Sequence, residues 1–180
     1  MRLCSIASGS SGNCIYTGGE HTHLLVDTGI SKKRVEEGLK ALDIKGEELN
    51  GILITHEHID HVQGLGVFSR KYEVPIYATK GTIEGIKKIS SIGKMPEGLF
   101  HEIQTDETFT LGELKVEPFK ISHDANEPLC TKVVGCWMLM SVNSFMSDAY
   151  VHALLSVFSF CLFRLQYGFK KNAAFVYLFI

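Results

Sequence analysis

Thr55-His56-Glu57-His58-Ile59-Asp60-His61-Val62 directly follows the apolar run Gly51-Ile-Leu-Ile-Thr55. That run has the length and composition of a strand buried on both faces. In extended backbone, residues two apart point the same way, about 6.6 Å apart along the chain. His56 and His58 therefore aim two imidazoles at one point in front of the strand end. Asp60 is next in the alternation, and a turn into helix there lets His61 point back toward a neighbouring point. Imidazole nitrogen and carboxylate oxygen suit Zn²⁺, Mn²⁺ or Fe. The segment thus offers ligands to two adjacent metals, spaced roughly 3.5–4 Å as in two-metal hydrolases. A polar turn with surface histidines is the bland alternative, and it does not explain four donors packed where a buried strand meets a helix. Asp60 also has a rival role as helix N-cap, with Gln63 at N3 as in a capping box. The three surrounding histidines favour ligation.

On either side of this segment the chain reads as alternating strands and helices. Arg2 to Ala7 alternates loosely and breaks at Ser8-Gly-Ser-Ser-Gly-Asn13. Strands are expected from Asn13 to Tyr16 and from Thr22 to Asp27, with Gly18-Gly19 as turn material. Ser31 is a good N-cap for a helix over 32–42, whose Val35, Leu39 and Leu42 share one face. Val62, Leu65 and Phe68 suggest one further short helix. A strand at 75–78 and a helix with Ile83, Ile86 and Ile89 on one face come next. Residues 109–116 read as a hairpin, and 119–122 as a last strand leading into His123. Interleaved strands and helices give the class α/β, or mixed α+β. Ser8 to Asn13 has two equally weighted readings: a turn whose N–H groups line the site, or a tight hairpin turn. His21, His23 and His101 stand alone and read as surface or edge positions. Cys130 and Cys136 lack zinc-finger spacing.

Composition bounds the function. Of 180 residues, 45% are hydrophobic and 21% charged, which is ordinary globular material. With 18 basic against 20 acidic side chains the net charge is −2, so there is no basic excess of the kind a strongly cationic nucleic-acid binder uses to neutralise phosphates. The apolar start from Leu3 to Ala7 is too short for a secretory h-region. Five cysteines, with Cys4 and Cys14 in strand-like runs, read as free thiols in a reducing cytoplasm.

The combination of motifs resembles the metallo-β-lactamase superfamily. His56-x-His58-x-Asp60-His61 after an apolar strand is similar to its signature, Leu24-Leu-Val-Asp27-Thr-Gly to its first motif, and Ile121-Ser-His123-Asp to its third. Ala7-Ser-Gly-Ser-Ser-Gly-Asn13 and Ser122-His-Asp-Ala-Asn-Glu-Pro128 resemble the YycJ/WalJ-type, nuclease-like branch. The resemblance spans residue 1 to about residue 128. It implies an αββα sandwich, of which the first half is present and the second missing or aberrant. It also implies two divalent metal ions, Zn²⁺ or Mn²⁺, of which this chain is expected to hold one tightly. His56, His58 and His123 would hold the first ion, Asp60 and His61 the second, with Asp27 as outer support. The implied activity is hydrolysis of an anionic ester or nucleic-acid phosphodiester by metal-bound hydroxide. Asp60 would serve as the catalytic carboxylate that holds the attacking water or takes its proton. The competing reading is an incomplete, catalytically weak metal-binding domain.

The last third differs. Beyond residue 130 the only charged side chains are Lys132, Asp148, Arg164, Lys170 and Lys171, while eleven aromatic rings fall there against seven before it. The expected organisation is therefore a metallo-β-lactamase-like unit over 1–130 and an apolar, aromatic-rich tail over 131–180. Asp148, 25 residues after His123, has the position of the family's metal-bridging aspartate but lacks the strand and turn that would aim it. His152 comes too early for the final histidine ligand. A membrane span needs about 20 mostly apolar residues. The runs beside Asp148 are 15 each, and a mid-helix Asp costs about 2.5–3.5 kcal/mol, so membrane association is not favoured. A truncated or frame-shifted tail is the preferred reading, which leaves the inner face of the first sheet without its partner layer and the chain marginally stable.

Overall fold

Strands in the middle of a sheet bury both faces, and β2 (Cys14–Gly18), β3 (His23–Val26) and β4 (Gly51–Leu53) do so at every residue except His23. The computed structural model describes residues 2–134, together with the backbone of Met140–Ser141 and Leu178–Phe179, which pair in parallel. Asp148, His152 and the question of what the tail is lie outside the described residues. β1 (Arg2–Ala7), β2 and β3 form an antiparallel meander. From β3 the pairing turns parallel through β4, β5 (Ile76–Ala78) and β6 (Phe100–Glu102), giving a six-stranded sheet in the order β1-β2-β3-β4-β5-β6. Each parallel step needs a crossover. α1 (Lys32–Ala41) provides the first, α2 (Ile59–Val62) with α3 (Leu65–Tyr72) the second, and α4 (Lys80–Lys88) the third.

The helix starts follow their caps. The Ser31 hydroxyl accepts from the Arg34 N–H and the Thr79 hydroxyl from the Thr82 N–H, each worth about 1 kcal/mol. The single helix expected around Val62, Leu65 and Phe68 is two: Gln63 is the C-cap of the first and Gly64 the N-cap of the second. Asp60 is not an N-cap. His58 holds that position, and Asp60 lies in the first turn of α2, so the capping box with Gln63 does not form.

The period of two divides the core. Tyr16, Leu25, Ile52 and Ile54 face the helices and meet Val35, Leu39, Leu65, Phe68 and Ile86. Ile15, Leu24, Val26 and Leu53 face the other way, onto a second sheet. That sheet is β7 (Phe109–Leu111), β8 (Leu114–Lys120) and β9 (Leu129–Val134), all antiparallel. Leu114, Val116, Cys130 and Val133 close the interlayer core. The partner layer expected to be missing is thus present over β2–β4. Of the strand expected at 119–122, Phe119 and Lys120 are the end of β8 and Ile121 and Ser122 lie beyond it, and the chain continues past Pro128 into β9. Among the described residues no helix is long and apolar enough to cross a membrane.

Candidate metal centre

The site forms at the carboxyl ends of β3 and β4, where ligands gather in open α/β sheets. Asp27 ends β3 in a left-handed conformation (φ 59°), with its N–H donating to the Leu53 carbonyl at 2.9 Å. Its carboxylate is fully buried. Oδ1 accepts from the Thr55 N–H at 2.9 Å, and Oδ2 accepts from the Thr55 hydroxyl at 2.9 Å and from His61 Nδ1 at 2.7 Å. The Thr55 hydroxyl, having donated to Asp27, accepts from His56 Nδ1 at 3.0 Å. These bonds fix both tautomers. With each Nδ1 carrying the proton, the Nε2 lone pairs of His56 and His61 point away from Asp27 into the site. His56 Nε2 is buried and has no hydrogen-bond partner.

Three further histidine rings surround His56. The His56 ring lies 4.7 Å from the His58 ring, 4.6 Å from that of His123 and 4.0 Å from that of His61. His123 Nδ1 faces the Asp124 carboxylate at 3.1 Å, which leaves its Nε2 toward His58 Nδ1 at 3.2 Å. Two nitrogens on one tetrahedral ion at 2.0–2.1 Å stand about 3.3 Å apart. One ring nitrogen from each of His56, His58 and His123 falls within 4.8 Å of the others. The donor set and the unpartnered, buried His56 Nε2 fit a divalent cation. Asp60 Oδ2 lies 3.5 Å from His61 Nε2 on the neighbouring side.

The electrostatics at His56 agree with a neutral donor. Burial, then repulsion from His61, His58 and His123, lowers the His56 pKa to about 2. His61 goes the other way: burial pulls it down, but the charge and hydrogen bond of Asp27 outweigh that and raise it.

Backbone contacts hold the pieces in register. The Asn13 N–H donates to the Asp60 carbonyl, Gly29 N–H to the Asn13 carbonyl, Thr28 N–H to the His61 carbonyl and Gly64 N–H to the Thr28 carbonyl, each at 2.8 Å. Gly29 is required by close approach, since a Cβ there would lie 1.6 Å from the Asp60 carbonyl oxygen. The loop carrying His123 is fastened separately. Its Asn126 N–H donates to Glu57 Oε1 at 2.9 Å, and Glu127 accepts from the Thr79 hydroxyl at 2.8 Å and from the Gly81 N–H at 2.9 Å.

All six residues singled out from the sequence therefore lie in one cluster. His21, His23 and His101 stay out of it. The His23 ring pairs with the Tyr16 hydroxyl, His101 stacks on Tyr77, and His21 is exposed. Sequence reasoning gave no individual role to Thr55, Glu57 or the Asn13 amide. A hydroxyl directly before the first histidine was the available signal for Thr55; the other two depend on loops meeting in space. Ser8 to Asn13 forms a closed turn between β1 and β2, with Gly12 N–H on the Gly9 carbonyl.

Comparison with known proteins agrees with this geometry. The family profile described as "Beta-lactamase superfamily domain" matches residues 22–146. Exodeoxyribonuclease YycJ of Bacillus anthracis is 41% identical over 129 residues, 72% of this chain and 48% of the relative. Exodeoxyribonuclease WalJ of Streptococcus pneumoniae serotype 2 is 41% identical over 123 residues, covering 68% and 46%. The chain thus spans about half the length of these curated relatives. Among solved structures, Rm3 metallo-beta-lactamase superposes with a TM-score of 0.64 at 16% identity, over 98% of this chain and 74% of that one, a likeness of fold.

Proposed function

Because the chain belongs to the beta-lactamase superfamily domain family, we propose that it is part of a metal-dependent hydrolase that cleaves phosphodiesters in nucleic acid. The observation that carries this reading is the convergence of His56, His58 and His123, with a buried His56 nitrogen left unpartnered. The two exodeoxyribonuclease relatives support DNA as the substrate class. His56 Nε2, His58 and His123 Nε2 would hold one divalent ion, Zn²⁺ or Mn²⁺. Asp60 Oδ2 and His61 Nε2 would begin a second position. Bound ions of this kind lower the pKa of water and polarise the substrate's phosphoryl oxygen. Asp27 orients both His61 and, through Thr55, His56, and so keeps the lone pairs aimed inward. Asp60, partly exposed, would hold the attacking water or take its proton. Among the described residues the first position gathers three ligands and the second two, so the first binds more tightly. This favours, as a second reading, a metal-binding domain of low turnover.

In this proposal the chain consists of one such unit, which includes β9 ending at Val134, followed by an apolar tail. It works in a reducing cytoplasm, a reading supported by the free thiols of Cys4 and Cys14. The test is elemental analysis of the chain and of its H56A and H58A variants, with turnover of a chromogenic phosphodiester in Mn²⁺. Loss of most bound metal in either variant is expected. Unchanged content in both overturns the ligand assignment. Metal-dependent turnover that H58A abolishes supports the hydrolase, and a tightly bound ion without turnover supports the second reading.

A further inference from the structure

Asn13 is buried, and every polar atom it carries is hydrogen-bonded, its N–H and side-chain NH₂ to the Asp60–His61 pair. Its N–H and carbonyl join Asp60 to Gly29. Its side-chain oxygen accepts from the Gly9 N–H at 2.9 Å. That bond decides which half of the amide faces the site: the NH₂ lies 3.1 Å from His61 Nε2 and 3.4 Å from Asp60 Oδ2. With the 3.5 Å between Nε2 and Oδ2, the three atoms form a nearly equilateral triangle. Its edges are close to the spacing of about 3.3–3.5 Å between ligands on one tetrahedral ion at 2.0–2.1 Å. Two corners carry lone pairs. The third carries an N–H donor, which coordinates no cation.

We propose that Asn13 is the third corner of the second cation position, and that the inward NH₂ sets how readily that position fills. In the metal-free chain the NH₂ satisfies the lone pairs of His61 and Asp60. A cation entering there must displace those two hydrogen bonds and finds no ligand at the third corner. An oxygen at the same place would complete the triangle. Asn13→Asp supplies one, because one carboxylate oxygen can keep the Gly9 N–H while the other faces inward. This rests on the reading of Asp60 and His61 as cation ligands.

The test titrates Zn²⁺ into the metal-free chain, the Asn13→Asp variant and the His56→Ala variant, reading bound metal by competition with a chromophoric chelator. The second equivalent should bind about tenfold or more tightly in Asn13→Asp, the scale on which groups around a site tune it. The first should change little. A second equivalent no tighter than in the unsubstituted chain overturns the proposal. If His56→Ala fails to weaken the first equivalent, the underlying metal reading fails instead. A second measurement needs no substitution at Asn13. In ¹⁵N-labelled chain, with Asn13 assigned by triple-resonance spectra, its side-chain NH₂ signals should move with the second equivalent of Zn²⁺, and should not move that way in His61→Ala. Signals that stay fixed through the second equivalent refute the assignment even if the aspartate variant does not fold.

Discussion

Gly29→Ala probes whether three loops create the site by touching backbone to backbone. The new methyl would lie 1.6 Å from the Asp60 carbonyl oxygen and 2.8 Å from the Asn13 nitrogen, where ordinary contact begins at 3.4 Å. The loops must therefore part by about 2 Å, since a packed interior has no slack to absorb that overlap. Two buried bonds lie directly in the path, Asn13 N–H to Asp60 carbonyl and Gly29 N–H to Asn13 carbonyl. At about 1 kcal/mol for each lost bond, and more where a buried group stays unpaired, the cost is about 2–4 kcal/mol. That is a large share of the 5–15 kcal/mol by which a domain is ordinarily stable. Asp60 moves with its carbonyl, so metal affinity at its side of the centre should fall about ten- to a hundredfold. Urea unfolding, read as a lower midpoint at constant slope, and chelator competition measure the two effects. Gly98→Ala is the control: its Cβ meets nothing within 4 Å, and only its φ of +80° penalises a side chain, by about 1–2 kcal/mol. A Gly29→Ala chain with the midpoint and metal affinity of the parent would refute the reasoning.

Thr55→Val keeps the shape of the side chain and removes the hydroxyl that links Asp27 to His56. Stability should drop by about 1–3 kcal/mol, and ¹⁵N spectra of the His56 ring should show its tautomer no longer fixed; an unchanged ring spectrum would count against the relay. Glu36 joins α1 to α3 through Lys71 and Tyr72 and also pairs with Lys32 of its own helix, and those bonds, Lys71 first, hold its pKa at about 2. A carboxylate depressed on folding contributes stability above its ordinary value of 4.5, lost as pH falls from there through about 2. Glu36→Gln should therefore melt lower than the parent at neutral pH and alike at the acid end, and a deficit independent of pH would refute it.

Much of this architecture is written locally. Ser31 with Val35 and Leu39 specifies α1 without outside help, and the apolar run into Thr55 specifies a central strand ending at a ligand-rich turn. Strand β6 was not legible, because Phe100-His-Glu is short and its exposed His101 and Glu102 look like loop; it is a strand only because β5 offers an edge. β9 was hidden for a related reason. Leu129 to Val134 carries no turn signal, and its identity comes from pairing with β8 and from its Leu129 N–H on the Thr55 carbonyl at 3.0 Å. Within the site, the types and spacing of His56 to His61 could be read directly. The amide of Asn13 and the carboxylate of Glu57 could not, since their partners lie 47 and 69 residues away.

The centre draws on segments near residues 13, 27, 56–61 and 123, and this links cation binding to folding. His123 stands 65 residues from His58, so an unfolded chain keeps only the local donors and must close long loops to recruit the rest. A cation bound by the folded centre and not by the unfolded chain would stabilise the protein by mass action, by about 2.7 kcal/mol at a hundredfold excess over its dissociation constant. The unfolding midpoint would then rise with free metal and fall with chelator. The outer strands, far from any ligand, would be as sensitive to metal supply as the histidines themselves.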